Sequence, residues 1–410
     1  MQIDRTSREL PALRPESQTW VDASIPNKPF LDWRELVIKG LQYSGALRLA
    51  RRLSKSHEIP PDSSLPFPRF AHVKTPKFII LCYHGIGESG NPLGVAPTRE
   101  LFEAQMYFLR QNYRVTSLEE ACRELRSGSK SEPGVVITFD DGYRSAYTVA
   151  FPILQKYRLP ATIYLTVDSV ETGQVAWYDR VFLAMAVAPS GELQLDLRGP
   201  WRFQLNSPED RLRAALEVVA LLRTFSNSVR CECCALLENR IGLPQNALSS
   251  RVLTWDEIRT MHQAGISFGS HTLTHPVVSQ LEPRELDLEL GASKCLLEKK
   301  LGVPVLDFAF PFGKASDCSS AALEMLARSG YRSAVTTVSG VNTPQVNPFE
   351  LRRLQVGSNV SVARFAFDLG RAFLRAEELR DLNVPKTGSA NVPGSPTMAS
   401  VGGSLENPDA

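Results

Sequence analysis

From Lys77 onward, short apolar runs alternate with longer amphipathic stretches, and this alternation restricts the fold more than any other feature of the sequence. The runs have the length of strands, and apolar residues recur about every 3.6 positions in the stretches between them. Strands that alternate with helices are typical of a parallel sheet or barrel, because each helix carries the chain back to begin the next strand in the same direction. The predicted strands are 78–84, 134–140, 161–167, 266–271, 306–312 and 332–338. The predicted helices are 100–111, 118–126, 144–157, 255–264, 285–301 and 319–330.

Three segments lie outside this alternation and divide the chain. Residues 168–250 contain a helical pattern around 209–222 but no alternation of strands and helices, so we predict an insertion there. Residues 1–76 form a proline-rich arm, in which repeated prolines interrupt any long element. Residues 381–410 are rich in Pro, Gly and Ser without apolar periodicity, which predicts a disordered tail. One large domain, 77–380, remains.

Within the arm, Trp33–Lys55 combines leucines with basic residues and predicts an amphipathic helix or helix pair. Such a segment can bind peripherally to an anionic membrane surface or pack on its own domain, and the sequence leaves both open. Residues 1–20 contain no apolar run of signal-peptide length, and no apolar stretch in the chain is long enough to span a membrane. We therefore expect a cytoplasmic protein, peripheral at the inner membrane face if the basic helix binds lipid.

Charge and cysteine content exclude two other classes of protein. The 46 Lys and Arg residues nearly balance the 44 Asp and Glu residues, and a net charge of +2 gives no electrostatic basis for a nucleic-acid partner. Seven cysteines are few for 410 residues, which excludes a disulfide scaffold, and we expect them to be mostly reduced. Cys231, Cys233 and Cys234 lack a second pair at zinc-finger spacing, so we interpret them as small apolar residues of a helix.

Acidic residues and histidines follow two of the predicted strands. Asp140 and Asp141 come directly after a buried strand, and two adjacent carboxylates there are costly unless a metal ion or a shared proton relieves their repulsion. An ordinary Asp-Gly turn with Gly142 would also explain them. His271 and His275 end another strand, and two histidines four residues apart are common ligands of Zn²⁺ and similar metals. Because the carboxyl ends of barrel strands meet at one face, two His and one Asp predict a three-ligand metal site with positions open for water and substrate.

Two further strand ends carry groups that hydrolysis needs. Residues 310–313, Phe-Pro-Phe-Gly, predict a fixed turn that aims a backbone N–H into the cavity, where it could bind a tetrahedral oxyanion. His84 follows the first strand and could protonate a leaving group, although a histidine at such a position is often structural. Asp256 is another acidic candidate, but the start of a helix explains it equally well.

Together these motifs resemble those of a known family. T-F-D-D-G-Y (138–143), S-H-T-L-T-H-P (270–276) and F-P-F-G (310–313), in this order, are similar to motifs of the polysaccharide deacetylases of carbohydrate esterase family 4. The resemblance extends from Phe78 to Leu354 and includes L-C-Y-H-G-I, F-E-A-Q-M-Y-F-L, L-T-W-D-E-I and L-R-R-L. It implies a distorted (β/α) barrel, here with a helical insertion and irregular terminal extensions. The implied activity is a metal-dependent hydrolysis of carbon–nitrogen bonds in linear amides, the N-acetyl groups of a polysaccharide or lipid-linked glycan.

The resemblance also implies roles for individual residues. Asp141, His271 and His275 would bind the metal ion, with Zn²⁺ in first place and Co²⁺ or Ni²⁺ as alternatives. Asp140 would be the general base that deprotonates the attacking water, and the backbone N–H of Phe312 would hold the oxyanion.

Two departures from the family pattern lead to further assignments. Many members carry an arginine where this chain has Ala309, and Arg353 is our candidate to replace it beside Asp140. The late histidine motif of many members is absent from this sequence. The early Tyr83-His84 pair resembles a subgroup with a permuted motif order, in which this histidine is the general acid, so we assign that role to His84.

The substrate and the catalytic competence stay open at this stage. Tyr143 and Trp177 are candidates to stack on a sugar ring. An N-acetylated glycan is the substrate that we favour, and an O-deacetylase or another amide hydrolase on the same scaffold is the alternative. A third hypothesis is a glycan-binding protein that has lost catalysis. The adjacent Asp140 and Asp141 argue against it, because a pure binder has no physical need for two neighbouring carboxylates.

Overall fold

A nearly closed barrel of parallel strands forms the centre of the structure. The residues that the computed structural model describes are 77–87, 96–128, 132–243, 251–358 and 360–383. All of them belong to one unit, Arg69–Ala410. The predicted arm, 1–76, with its basic segment 33–55, lies outside the described residues, as do residues 384–410 of the predicted tail.

Seven of the strands pair in parallel, in the order β10-β1-β3-β4-β7-β8-β9. The strand bounds are β1 Phe78–Tyr83, β2 Arg114–Val115, β3 Gly134–Phe139, β4 Thr162–Leu165, β5 Glu192–Asp196, β6 Pro200–Gln204, β7 Ser267–Ser270, β8 Asp307–Ala309, β9 Ser333–Val335 and β10 Arg353–Gln355. The short β2 pairs with the first residues of β3. β5 and β6 form a separate antiparallel hairpin.

The two ends of this strand order meet through a short connection. Val335 in β9 forms a parallel bridge with Leu351, and the Thr336 N–H donates to the Leu351 carbonyl oxygen at 2.8 Å. The Arg353 N–H in β10 donates to the Val338 carbonyl oxygen at 3.0 Å. The chain that leads into β10 therefore closes the ring beside β9, and the carboxyl ends of the parallel strands lie at one face.

All six predicted strands are present, with shorter bounds. β1 and β3 are buried at every position, which is typical of strands covered on both faces and explains their unbroken apolar runs. β8 ends at Ala309, three residues before the predicted end, because Pro311 lacks an N–H for pairing and Phe312 has a left-handed backbone. The apolar pattern does not predict β10, which has only three residues and begins with the buried Arg353.

Twelve α-helices occur in the described residues, and those outside the insertion flank the barrel strands. Their bounds are α1 Arg99–Asn112, α2 Leu118–Ser127, α3 Phe151–Tyr157, α4 Val167–Thr172, α5 Trp177–Val187, α6 Pro208–Leu222, α7 Asn227–Ile241, α8 Trp255–Gln263, α9 Pro283–Leu286, α10 Ser293–Leu301, α11 Ser320–Arg328 and α12 Val362–Asn383. The π-helical turns Ala146–Ala150 and Asp287–Ala292 precede α3 and α10. α12 extends three residues into the predicted tail. No helix in the described ranges is long and apolar enough to cross a membrane.

The predicted insertion contains α5, the hairpin β5-β6, α6 and α7, and it has its own hydrophobic core. Cys233 and Cys234 of α7 pack in this core, as expected for apolar residues of a helix, whereas Cys231 is exposed. Trp177 from α5 belongs to the same core, and Phe312 from the barrel packs against it. The insertion core therefore reaches the end of β8, where the functional motifs lie.

Candidate metal centre and active site

Asp141, His271 and His275 converge at the carboxyl ends of β3 and β7. Each is at most 5% exposed. The Nε2 atom of His271 lies 3.4 Å from the Asp141 Oδ1 atom, and the Nε2 atom of His275 lies 3.6 Å from the same oxygen. The three ligand atoms are all within 4.8 Å of one another. Two imidazole nitrogens and one carboxylate oxygen form a donor set that is typical of a catalytic zinc site.

The hydrogen bond of His271 fits this interpretation. Its Nδ1 atom lies 2.8 Å from the carbonyl oxygen of Ala309, which can only accept a hydrogen bond. A proton of His271 therefore resides on Nδ1, and the Nε2 atom faces Asp141. A ligand histidine that donates its other N–H to a backbone carbonyl is the usual outer-shell arrangement of metal sites.

The electrostatics favour the metal-binding forms of Asp141 and His275. Burial alone would lower the pKa of His271, but the hydrogen bond to Asp141 and the charges of Asp140 and Asp141 raise it. Burial alone would raise the pKa of Asp141, but the hydrogen bond from His271 and the nearby histidines hold it well below its usual range. Burial and the charge of His271 lower the pKa of His275 to about 3. At neutral pH the cluster therefore offers an ionised carboxylate and a neutral His275, and metal ligands must be deprotonated in this way.

Backbone strain is concentrated at this site. Six non-glycine residues have positive φ in the described ranges, and four of them are Asp141 (73°), Thr272 (67°), His275 (61°) and Phe312 (57°). Such conformations are costly for residues with a Cβ atom and persist only where the surroundings enforce them. Their clustering supports a functional role for this face of the barrel.

A buried glutamate holds the loop between the two histidines. The Glu289 carboxylate accepts the backbone N–H groups of Leu273 and Thr274, each at 2.9 Å, and the Thr274 hydroxyl at 2.6 Å. The Thr272 hydroxyl accepts the N–H of His275 at 2.9 Å. These bonds fix the loop in its left-handed turns. The sequence does not reveal this role of Glu289, because an acid in a helical segment gives no signal of its distant partners.

Asp140 is paired with Arg353, the candidate to replace the arginine that many family members carry at the position of Ala309. The guanidinium donates to both carboxylate oxygens at 2.7 Å, and its Nε atom donates to the carbonyl oxygen of Thr336 at 2.7 Å. Both side chains are almost fully buried. Burial alone would raise the pKa of Asp140, but the Arg353 charge and hydrogen bonds more than offset this and hold the pKa below its usual range. The carboxylate is therefore ionised and able to accept a proton.

His84 lies beside this pair at the end of β1 and is exposed to solvent. Its ring, the Cys82 sulfur and the Asp140 carboxylate have ligand atoms within 4.8 Å of one another. The Cys82 thiol donates to the Asp140 Oδ2 atom at 3.6 Å, and burial raises its pKa well above the usual range. A second metal ion is disfavoured here, because Arg353 already neutralises Asp140 and Cys82 stays protonated.

The turn after β8 brings Phe312 to the candidate metal ligands. Its ring centroid lies 4.9 Å from that of His275. Among the residues that the structure describes, none accepts a hydrogen bond from the Phe312 N–H, so that donor is available to a ligand. Gly313 follows with a φ of 63°, and a Cβ atom there would lie 2.8 Å from the Thr337 nitrogen. Only glycine therefore allows this turn without strain.

The two predicted sugar-stacking residues are both near the cluster and both buried. Trp177 and Tyr143 are each 6% exposed. The Trp177 indole N–H donates to the carbonyl oxygen of His275 at 2.9 Å, and the Tyr143 hydroxyl donates to the Asp179 carboxylate at 2.6 Å. Burial and the charge of Asp141 raise the pKa of Asp179 to about 8. Contact of either aromatic ring with a sugar stays a prediction.

Comparison with known proteins identifies the family. Residues 127–334, half of the chain, match the model of the polysaccharide deacetylase family. The chain belongs to this family. The matched region contains Asp140, Asp141, His271, His275 and Phe312, so the face that carries these residues is part of the shared deacetylase domain.

Individual proteins are also similar to this chain. YxkH of Bacillus subtilis strain 168, which is assigned by name to the polysaccharide deacetylases, is 27% identical over 294 residues, covering 71% of this chain and 76% of that protein. The poly-β-1,6-N-acetyl-D-glucosamine N-deacetylase of Escherichia coli K12 is 36% identical over 88 residues, which are 20% of this chain and 13% of that protein. The Streptococcus pyogenes deacetylase PplD, solved in complex with acetate, has the same fold, with a TM-score of 0.50, 22% identity and coverage of 72% of this chain and 98% of that one.

Proposed function

We propose that this deacetylase is a metal-dependent hydrolase that removes N-acetyl groups from an N-acetylated polysaccharide or lipid-linked glycan. The observation that carries the proposal is the arrangement at one face of the barrel. A cluster of two histidines and one aspartate, His271, His275 and Asp141, lies directly beside the buried pair of Asp140 and Arg353. A metal site next to an ionised carboxylate is the combination that hydrolysis of an amide requires.

The residues of this face divide the chemistry among them. A divalent ion held by Asp141 and the two histidines, Zn²⁺ or else Co²⁺ or Ni²⁺, supplies polarisation of the acetyl carbonyl and activation of water when bound. Asp140 accepts the proton of the attacking water, and Arg353 keeps this carboxylate ionised and oriented. The Phe312 N–H donates to the oxyanion that develops on the acetyl group. His84 then donates a proton to the leaving amine.

The relatives suggest which glycan to test first. The Escherichia coli relative acts, by its name, on poly-β-1,6-N-acetyl-D-glucosamine. An oligomer of N-acetylglucosamine is therefore the first candidate substrate. The amine that His84 would protonate is the nitrogen exposed when the acetyl group leaves such a sugar.

Acetate release from defined glycans tests the proposal. The protein is incubated with N-acetylated and O-acetylated oligosaccharides, with Zn²⁺, Co²⁺ or Ni²⁺ and with a chelated control. We expect release from the N-acetylglucosamine oligomer that is lost on chelation and restored by metal. Release from O-acetylated sugars alone would point to an O-deacetylase, and glycan binding without any release would point to an inactive binder. Undiminished release by the metal-free protein would contradict the metal site.

Substitution of His84→Gln tests the general acid. We expect acetate release to fall by about 10² or more, because protonation of the leaving amine then depends on water. Metal content should stay unchanged, since His84 is not part of the cluster formed by Asp141, His271 and His275. His262→Gln is the matched control, because its ring lies at the amino end of β7 and contacts the carbonyl oxygen of Ile266. Equal rates for the two variants would rule out this role for His84.

A further inference from the structure

We infer that the first turn of α5 positions the metal ligands. Trp177, Tyr178 and Asp179 are consecutive residues of the insertion, and each contacts a segment that carries a ligand. They are positioning residues, because they act through other residues of the site. The inference rests on the proposed function in one respect, namely that Asp141, His271 and His275 bind a metal ion.

The first contact fixes the backbone of His275. The Trp177 indole N–H donates to the carbonyl oxygen of His275 at 2.9 Å, and both groups are buried. His275 has a φ of 61°, a conformation that an unsupported histidine leaves easily. A hydrogen bond to its own carbonyl oxygen therefore stabilises the turn that aims this ligand at the site.

The second contact holds the ring of His275. Its Nδ1 atom has no hydrogen-bond partner among the described residues, whereas the Nδ1 atom of His271 is bound to the carbonyl oxygen of Ala309. The orientation of the His275 ring must therefore come from packing. The Tyr178 ring lies 4.6 Å from it, centroid to centroid, and Phe312 packs at 4.9 Å. Packing against Tyr178 thus orients the His275 ring, whereas a hydrogen bond orients the ring of His271.

The third contact reaches the other ligand-bearing segment. The Asp179 carboxylate accepts the Tyr143 hydroxyl at 2.6 Å, and both side chains are buried. Tyr143 lies two residues after Asp141, in the turn where Asp141 has a φ of 73°. One helical turn of the insertion therefore contacts both the Asp141 turn and the His275 turn, which come from different strands.

The insertion core determines where this helical turn lies. Trp177 is part of that core, and the Arg230 guanidinium packs over its ring at 4.9 Å from the centroid. Arg230 is itself 2% exposed and donates to the carbonyl oxygens of Leu222 and Phe225. The geometry of the metal site consequently depends on the packing of a segment outside the barrel.

Metal binding without substrate tests the inference. The metal-free full-length protein is titrated with Co²⁺ in the absence of glycan, and visible absorption reports the affinity and the ligand geometry. We expect Trp177→Phe to weaken Co²⁺ binding by about tenfold or more and to change the absorption band. Trp201→Phe is the matched control, because Trp201 packs against the same core and stacks on Phe203, 6.2 Å away. This control should bind within about twofold of the wild type.

A second variant keeps the test valid if Trp177→Phe does not fold. Tyr143→Phe removes only the hydroxyl that Asp179 holds, and we expect weaker Co²⁺ binding by a similar factor. Tyr83→Phe is its control, because it removes a buried hydroxyl that is bound to Gln105 at 2.9 Å instead. A role of Trp177 or Tyr143 in sugar stacking alone would leave Co²⁺ affinity unchanged.

The outcomes separate the inference from the proposed function. Wild-type protein that binds no Co²⁺ overturns the metal site and the inference with it. Wild-type binding that is unaffected by Trp177→Phe and Tyr143→Phe overturns the inference and leaves the proposed function intact. Equal losses in Trp177→Phe and Trp201→Phe would show that the loss does not arise from the hydrogen bond of Trp177 to His275, and would also overturn the inference.

Discussion

The Asp140→Asn protein should bind its metal ion as the wild type does and release acetate about 10² to 10⁴ times more slowly. The carboxamide retains the shape of the side chain but cannot accept the proton of the attacking water. Asp141, His271 and His275 are unchanged, so the cluster keeps its ligands. The measurement is acetate release at saturating metal, with metal content determined on the same sample.

Asp256→Asn is the matched control for this substitution. The Asp256 side chain is 89% exposed at the start of α8, where it pairs with Arg259, and it lies outside the described site. It should retain wild-type activity. That result would also show that Asp256, the other acidic candidate from the sequence, is not needed for acetate release. Acetate release by Asp140→Asn within about tenfold of the wild type would contradict its assignment as the base.

Substitution of Arg353→Met should destabilise the fold by about 3 to 5 kcal/mol, because it leaves the Asp140 charge buried without its partner. Arg353 is fully buried and donates two hydrogen bonds to that carboxylate. Methionine fills most of the same volume, so the loss reflects the charge more than a cavity. The free energy of unfolding, from denaturant titration, measures the effect.

The pH dependence of this loss gives a sharper test. In the wild type the pKa of Asp140 is lowered, so its contribution to stability is present above the ordinary pKa of Asp, about 3.9, and is lost as pH falls. Without Arg353, burial raises the pKa of Asp140 instead. The variant therefore loses stability as pH rises above the ordinary pKa of Asp. The difference between variant and wild type should therefore be largest near neutral pH and smaller in acid.

Arg352→Met provides the control, because it makes the same change at the next residue, whose side chain is exposed. It should alter the free energy of unfolding by no more than about 0.5 kcal/mol. The decrease in the free energy of unfolding for Arg353→Met could be equally small, or it could grow towards acid pH. Either result would show that the pair does not stabilise the ionised Asp140.

Strand ends were the part of the site that the sequence could predict. Asp140, Asp141 and His271 follow apolar runs directly, so a barrel had to bring them to one face. The position of Arg353 beside Asp140 came from the family resemblance alone, because no apolar run marks β10. The roles of these residues in catalysis stay predictions.

The contacts that support the site could not be predicted. Glu289 binds the backbone of a loop 15 and 16 residues away in the sequence, and Trp177 binds a carbonyl oxygen 98 residues away. Such bonds depend on how helices pack, and neither residue type nor spacing indicates them. The hairpin β5-β6 was also not predicted, although its strands are exposed at alternate positions, a pattern typical of half-buried strands.

The pairing of Asp140 with Arg353 also limits when a nascent chain can complete this face of the barrel. The two residues are separated by 213 positions, and β10, which carries the arginine, lies beside β1 in the ring. A chain made only as far as β9 lacks both the partner of Asp140 and the strand that pairs with one flank of β1. Contacts of such long sequence separation form late, because their loop entropy must be overcome first. The buried pair of Asp140 and Arg353 can therefore form only once β10 has been made.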